Sequence, residues 1–208
     1  MSFITIAQNA QTELVIEKSR FICTLQKVQS EAEAQDFIRE QKKHYWDATH
    51  NCSAYVVTDL LQRSSDDGEP GGTAGVPMLE VLRKARVQGV AAVVTRYFGG
   101  IKLGAGGLVR AYTNAVSTAL QAAGRAERVE LGRFLLTLPA VQAGKTVNLL
   151  YADGTYPVEE VRYGAEEAVL SFLMRREQQC AAEQYLTELL KVPVTLEYIS
   201  SEFREIRI

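Results

Sequence analysis

Apolar residues recur along this chain in two rhythms, one suited to strands and one to helices. Residues 12–18, TELVIEK, and 19–28, SRFICTLQKV, are rich in β-branched and aromatic side chains. They predict two strands that turn back on one another near Lys18 and Ser19. Ser30 followed three residues later by Glu33 is a capping box, and it opens a helix over SEAEAQDFIREQKKHY. HNCSAYVVTDL, residues 50–60, reads as another strand. In VPMLEVLRKARVQ, apolar Val76, Leu79, Leu82 and Val87 fall on one side of a helix. VAAVVTRYF, residues 90–98, opens on an unbroken apolar run, the pattern of a strand buried on both faces in mid-sheet. GGLVRAYTNAVSTALQAAG then predicts a helix closed by Gly124.

The pattern restarts between Glu130 and Gly132. RFLLTLP is strand-like, VQAGKTVNLLYAD helical, and YPVEEVRYG and AVLSFLMR are two strands joined by a turn at residues 164–167. EQQCAAEQYLTELLK is helical, and VPVTLEYISSEFREIRI closes the chain as a strand. This β-α-β-β-α-β order is the ferredoxin-like arrangement, with helices on one face of an antiparallel sheet. The expected fold class is therefore α+β in two domains, residues 1–131 and residues 132–208.

A length of 208 residues suits one domain or two small ones. With 47% hydrophobic and 23% charged residues, the composition is that of a globular protein able to bury a core. No apolar run is long enough to cross a bilayer, and the first residues, MSFITIAQNAQTEL, lack the basic and apolar regions of a signal peptide. Three scattered cysteines, Cys23, Cys52 and Cys180, form no CxxC and leave one unpaired. A cytoplasmic location without a disulfide framework and without a membrane partner is expected.

Charge changes this picture, because it is unevenly spread. Residues 81–126 contain no Asp or Glu but hold Arg83, Lys84, Arg86, Arg96, Lys102, Arg110 and Arg125. That window carries +7 in a chain whose net charge is −2, which leaves −9 elsewhere and favours an anionic partner here. Within it lies RYFGGIKLGAGGLVRAY, residues 96–112, between the buried strand and the long helix. A glycine-rich entry to a helix presents free backbone N–H groups at a positive dipole end, where phosphate or carboxylate can bind. The candidate anion- and nucleic-acid-binding residues are Arg83, Lys84, Arg86, Arg96, Gly99, Gly100, Lys102, Gly104, Gly106, Gly107 and Arg110. Arg96 has two options, reaching the same pocket or pairing with Asp66, Asp67 or Glu69. The competing explanation of the glycines is tight turning and close helix–sheet packing.

Named nucleotide motifs fail. A GxGxxG from Gly104 needs glycine at 109 and meets Val109, and PAVQAGKT, residues 139–146, has Pro139 where a Walker loop needs its first glycine. His50 and Cys52 share a strand face, but no third residue orients them, so a buried cysteine with a hydrogen-bonded histidine is expected over a nucleophile pair. His44 suits a helix C-terminal cation. RSSDDGEPGGTAG, residues 63–75, is a polar loop too long for a tight turn, and such loops often carry function. Its Asp66, Asp67 and Glu69 match no calcium loop; pairing with the basic strip or solvation is expected over Mg²⁺ binding. No catalytic residue, metal or cofactor is assigned.

DDGEPGGTAGVPML (residues 66–79) and VVTRYFGGIKLGAGGLVRAY (residues 93–112), with KSRFI and ATHNCSAYV, closely resemble the signature of the IMPACT family in its bacterial, YigZ-like branch. The resemblance covers the first domain. It implies an N-terminal fold like ribosomal protein S5 domain 2, as in elongation factor G domain IV, and a C-terminal ferredoxin-like domain similar to that factor's domain V. Eukaryotic members restrain an amino-acid-sensing kinase pathway through protein contacts, which implies a role in translation. The expected function is a translation-associated regulatory protein binding RNA or the ribosome through the basic glycine-rich face. The alternatives are an enzyme binding a phosphate or nucleotide ligand in the glycine loop, and a protein-binding regulator of translational control.

Overall fold

The computed structural model describes residues 2–208 and has two sheets and mixed α+β architecture. Contacts divide it into two compact units, Ser2–Arg128 with Glu205–Ile208, and Val129–Arg204. The sequence pattern places the division after residue 131, where the apolar rhythm restarts and the β-α-β-β-α-β order begins. The backbone continues through Gly132 as one strand, and the last four residues join the first unit, where Ile208 N donates to Arg125 O at 3.0 Å.

In the first unit, β1 (Phe3–Ile6) is followed by β2 (Ala10–Ile16) and β3 (Ser19–Lys27). The turn between the latter two is Glu17–Lys18, both at positive φ, the conformation that matches the twist of a two-residue hairpin. Helix α1 (Glu31–His44) starts at Ser30, whose Oγ accepts from Glu33 N at 3.2 Å. The Glu33 carboxylate reaches back one residue further than a capping box demands, to Gln29 N at 2.8 Å. Then come β4 (His50–Thr58), β5 (Leu61–Ser65), α2 (Gly75–Lys84), β6 (Val90–Tyr97) and α3 (Gly104–Ala123). Strands β2 to β6 form an antiparallel sheet in the order β2-β3-β6-β4-β5.

Strand β6 lies at the centre because its apolar run satisfies both faces. Val90, Ala92 and Val94 pack with α2 and α3, while Ala91 and Val93 pack with Ala34 and Phe37 of α1. On α3 the buried positions are Leu108, Ala111, Tyr112, Ala115, Val116, Ala119 and Ala123, a helical period dominated by alanine. The small side chains let this helix lie close on the sheet, with the large Tyr112 ring meeting Phe21 edge-on at 5.3 Å.

β7 (Arg125–Pro139) begins in the first unit, where its first residues pair with β1. In the second unit follow α4 (Ala140–Asp153), β8 (Val158–Tyr163), β9 (Glu167–Met174), a 3-10 turn at Arg176–Gln178, α5 (Gln179–Leu190) and β10 (Glu197–Arg207). The strands lie in the order β10-β7-β9-β8, and Phe134, Leu170 and Phe172 form a core with Leu150 and Leu186 of the helices. Among the described residues no helix is long and apolar enough to cross a membrane.

Phe37 is the largest side chain that α1 buries. Phe37→Ala is expected to lower stability by about 3–5 kcal/mol in urea unfolding, through lost burial and the cavity left behind; a cost below about 1 kcal/mol would show that α1 is held by something else.

Candidate functional site

The loop between β5 and α2 turns out to be tightly ordered, and its acids do different work. Asp66 caps α2 from nine residues upstream of its first residue, Gly75. Its Oδ1 accepts from Ala74 N (3.0 Å) and Gly75 N (2.7 Å), and its Oδ2 from Gly72 N (2.8 Å). Partial burial opposes its charge, but these three donors together hold its carboxyl below the usual aspartate range. Asp67 is likewise held low against burial, by Lys42 Nζ at 2.5 Å and Asn51 N at 2.7 Å. The cation that Asp67 takes thus comes from α1, outside the acid-free window.

Glu69 is the acid that enters the interior. Only 2% of its side chain is exposed, and its Oε1 accepts from Arg96 Nη1 at 2.6 Å and from Tyr112 Oη at 2.8 Å. Arg96, at the end of β6, is 7% exposed and its guanidinium lies over Phe21 and Phe98 at 5.4 and 5.6 Å from their centroids. Of the two options for Arg96, pairing with Glu69 is the one realised. Its Nε–H is buried and has no hydrogen-bond partner among the described residues.

The same network settles His50 and Cys52. His50 donates from Nδ1 to the Asp67 carbonyl at 2.9 Å, which leaves Nε2 toward Glu69 Oε2 at 3.9 Å. Cys52 is buried, with its thiol 2.9 Å from the Asp66 carbonyl and 3.3 Å from Tyr112 Oη. Burial, with the neighbouring acids, pushes the thiol up to about 12, so it does not supply a thiolate at neutral pH. The pair serves packing, not nucleophilic chemistry.

The glycines of residues 96–112 divide by role. A Cβ on Gly99 would stand 2.1 Å from the Lys18 carbonyl carbon, so this glycine exists to let the loop touch the β2–β3 turn. Gly107 is packed against Leu103 in the same sense, with a Cβ 2.9 Å from that side chain. Gly100 and Gly104 have φ of +85° and +69° and open surroundings. Gly106 is also open, with Arg110 Nη1 3.8 Å from where its Cβ would be. That contact brings the Arg110 guanidinium over the first turn of α3. Leu103, the residue at the cap position, makes no side-chain cap bond, and no acid lies in the first turn. Its leading N–H groups therefore have no acceptor at the cap position.

A pocket of about 290 Å³ opens there, bounded by His50, Glu69, Arg96, Phe98, Lys102 and Ala105 among others. The structure thus brings together Arg96, Lys102, Gly104 and, at the rim of the same turn, Gly106 and Arg110. Arg83, Lys84 and Arg86 lie elsewhere, at the C-terminal end of α2, where Arg125 Nη2 donates to Ala85 O at 3.2 Å. That is the far end of α3, a 20-residue helix spanning about 30 Å. Arg83 is also paired with Glu80 at 3.0 Å. Of the aromatics in the basic window, which the sequence offers either as base-stacking or as core residues, Phe98 is exposed and lines the pocket, whereas Tyr112 is buried in the core. Sequence reasoning did not single out Thr49 and Pro70, which also line the pocket.

Two outcomes are expected. Asp66→Asn costs about 2 kcal/mol by weakening the cap of α2. Because both aspartates are depressed in the fold, their contribution is present at neutral pH and is lost as pH falls below about 4. Stability against pH, measured by urea unfolding, should fall less steeply in Asp66→Asn; an unchanged acid limb would contradict the assignment. In native protein a thiol reagent should label only Cys180, which is exposed, while Cys23 and Cys52 react only after unfolding. Fast native labelling of Cys52 would contradict its burial.

Comparison with known proteins places these residues in a wider group. The model of the Impact N-terminal domain matches residues 17–120, the stretch that holds Glu69, Arg96 and the α3 N-terminus. The Bacillus subtilis IMPACT family member YvyE is 47% identical over 190 residues, 90% of this chain and 87% of its own. Escherichia coli YigZ, an IMPACT family member, is 46% identical over 110 residues, 51% of this chain and 54% of its own. A solved crystal structure of a hypothetical protein aligns over 97% of this chain and 98% of its own, at 31% identity and a TM-score of 0.60. The chain belongs to the IMPACT family.

Proposed function

We propose that this chain is a translation-associated regulatory protein that binds RNA or a ribonucleoprotein in the cytoplasm. The first unit would be of the ribosomal protein S5 domain 2 kind and the second ferredoxin-like. The strand order β10-β7-β9-β8, with both helices contributing to a single core, supports the second label. The family resemblance supports the role in translation.

The observation that carries the binding claim is the uncapped start of α3, with Lys102 and Arg110 beside it and no acid in its first turn. Backbone donors, two exposed cations and an exposed aromatic, Phe98 at 48%, are what a single-stranded polyanion needs for contact without a catalytic group. The contact surface is narrower than the whole basic window, since Arg83, Lys84 and Arg86 sit at the other end of the unit.

RNA affinity measured over a salt series tests this. Binding at about 50 mM salt should weaken steeply with salt, and Lys102→Glu with Arg110→Glu should lower the slope by about two. Arg83→Glu with Lys84→Glu should leave it within about one of the parent value. No RNA binding at low salt, or binding indifferent to Lys102 and Arg110, would overturn the proposal.

A further inference from the structure

We infer that the pocket at the start of α3 is a seat for a nucleoside phosphate monoester, either the phosphorylated end of an RNA strand or a free mononucleotide. For the RNA source only, this rests on the function proposed above.

The argument begins with unanswered donors. Arg96 is buried, lines the pocket, and has an Nε–H with no acceptor. An N–H taken out of water and left without a partner is costly, so a site that keeps one has a use for it. The leading N–H groups of α3 face the same shortage, and Lys102 adds an ammonium. These groups donate only. The ligand group that satisfies them must accept only, through several oxygens at once, which describes a phosphate better than an amide, a hydroxyl or an amine.

The charge of Glu69, which would repel such a group, is already answered. Its Oε1 is held by Arg96 and Tyr112, so the pair is close to neutral as seen from the pocket. What remains is the positive end of α3 and Lys102. Gly104 has nothing within 4 Å of where a Cβ would stand, which leaves an oxyanion room to approach the backbone. Pro70, Leu103 and Leu108 supply apolar wall, and Phe98 offers a ring face on which a nucleobase can stack. A volume of about 290 Å³ suits one nucleotide and its terminal phosphate; an internal diester needs a groove with room for the strand to enter and leave.

The test is titration of ¹⁵N-labelled protein with AMP, with inorganic phosphate, and with one RNA oligomer bearing a 5′ phosphate, a 3′ phosphate or neither. AMP should shift the amides of Gly104, Ala105, Gly106 and Gly107 together with the Arg96 Nε–H, and inorganic phosphate should do so more weakly. Ala105→Glu places a carboxylate at an exposed position of the first turn, where it favours the helix but competes with the ligand. It should weaken AMP binding about tenfold without lowering the melting temperature, and Lys102→Ala should weaken it about fivefold. Preference for a phosphorylated oligomer identifies an RNA end as the source, whereas equal affinity for all three oligomers with AMP still bound identifies the free nucleotide. No AMP shift at about 5 mM, or the same affinity in Ala105→Glu, overturns the inference. RNA binding retained in that case leaves the proposed function standing, and AMP binding without RNA binding does the reverse.

Discussion

One buried ion pair, Glu69 with Arg96, is what the site of the first unit is built around. It joins three segments far apart in sequence: the loop after β5, the end of β6 and, through Tyr112, the middle of α3. Burying two charges is expensive, and such a pair is stable only with close geometry and further hydrogen bonds. Tyr112 supplies one such bond, and the phenol, raised by burial and by its neighbours Cys52 and Glu69, keeps its proton to donate. An apolar trio would hold the same segments together at least as well in terms of stability. The charged version leaves a polar floor in a pocket that is otherwise largely apolar-walled, with one N–H turned to no partner.

The loop earns its order from the other acids. Asp66 converts three orphan amides at the start of α2 into a closed turn, and Asp67 ties the same loop to α1 through Lys42 and to β4 through Asn51 N. With both ends fixed, Glu69 is delivered to Arg96 at little further entropic cost. An acidic stretch for which pairing with the basic strip or solvation is expected therefore acts as a structural strap, with Glu69 alone taking a cation of that strip. This also reshapes the basic window. One of its seven cations is neutralised in the interior and four lie at the opposite end of α3, so Lys102 and Arg110 are the two that remain beside the helix start.

Much of the secondary structure was legible because it rests on local rules. The Ser30 cap, the glycine after α3, the unbroken apolar run of β6 and the strand–helix order after Gly132 all depend on neighbours within a few residues. Strand β1 was missed because four residues give no period to read, and β5 because its RSS segment is polar and faces solvent. The continuity of β7 was hidden by Gly132. The site was half legible. Glycine density and the absence of acids pointed to the α3 start, but nothing local distinguishes Gly99, which packs on Lys18, from Gly104, which faces open space. Glu69 could be paired with Arg96 only as one of three acids, since the choice is made by a loop conformation that the Asp66 bonds impose.

The most direct test of this account is a double-mutant cycle on the pair, Glu69→Gln and Arg96→Met, by urea unfolding. Each single change should cost about 3–5 kcal/mol, because it strands the other charge in the interior, and the double variant should cost little more than either one, a coupling of about 3 kcal/mol. Costs that add within about 0.5 kcal/mol would mean that the two charges do not act as a unit, and the pocket would then lack the foundation described here.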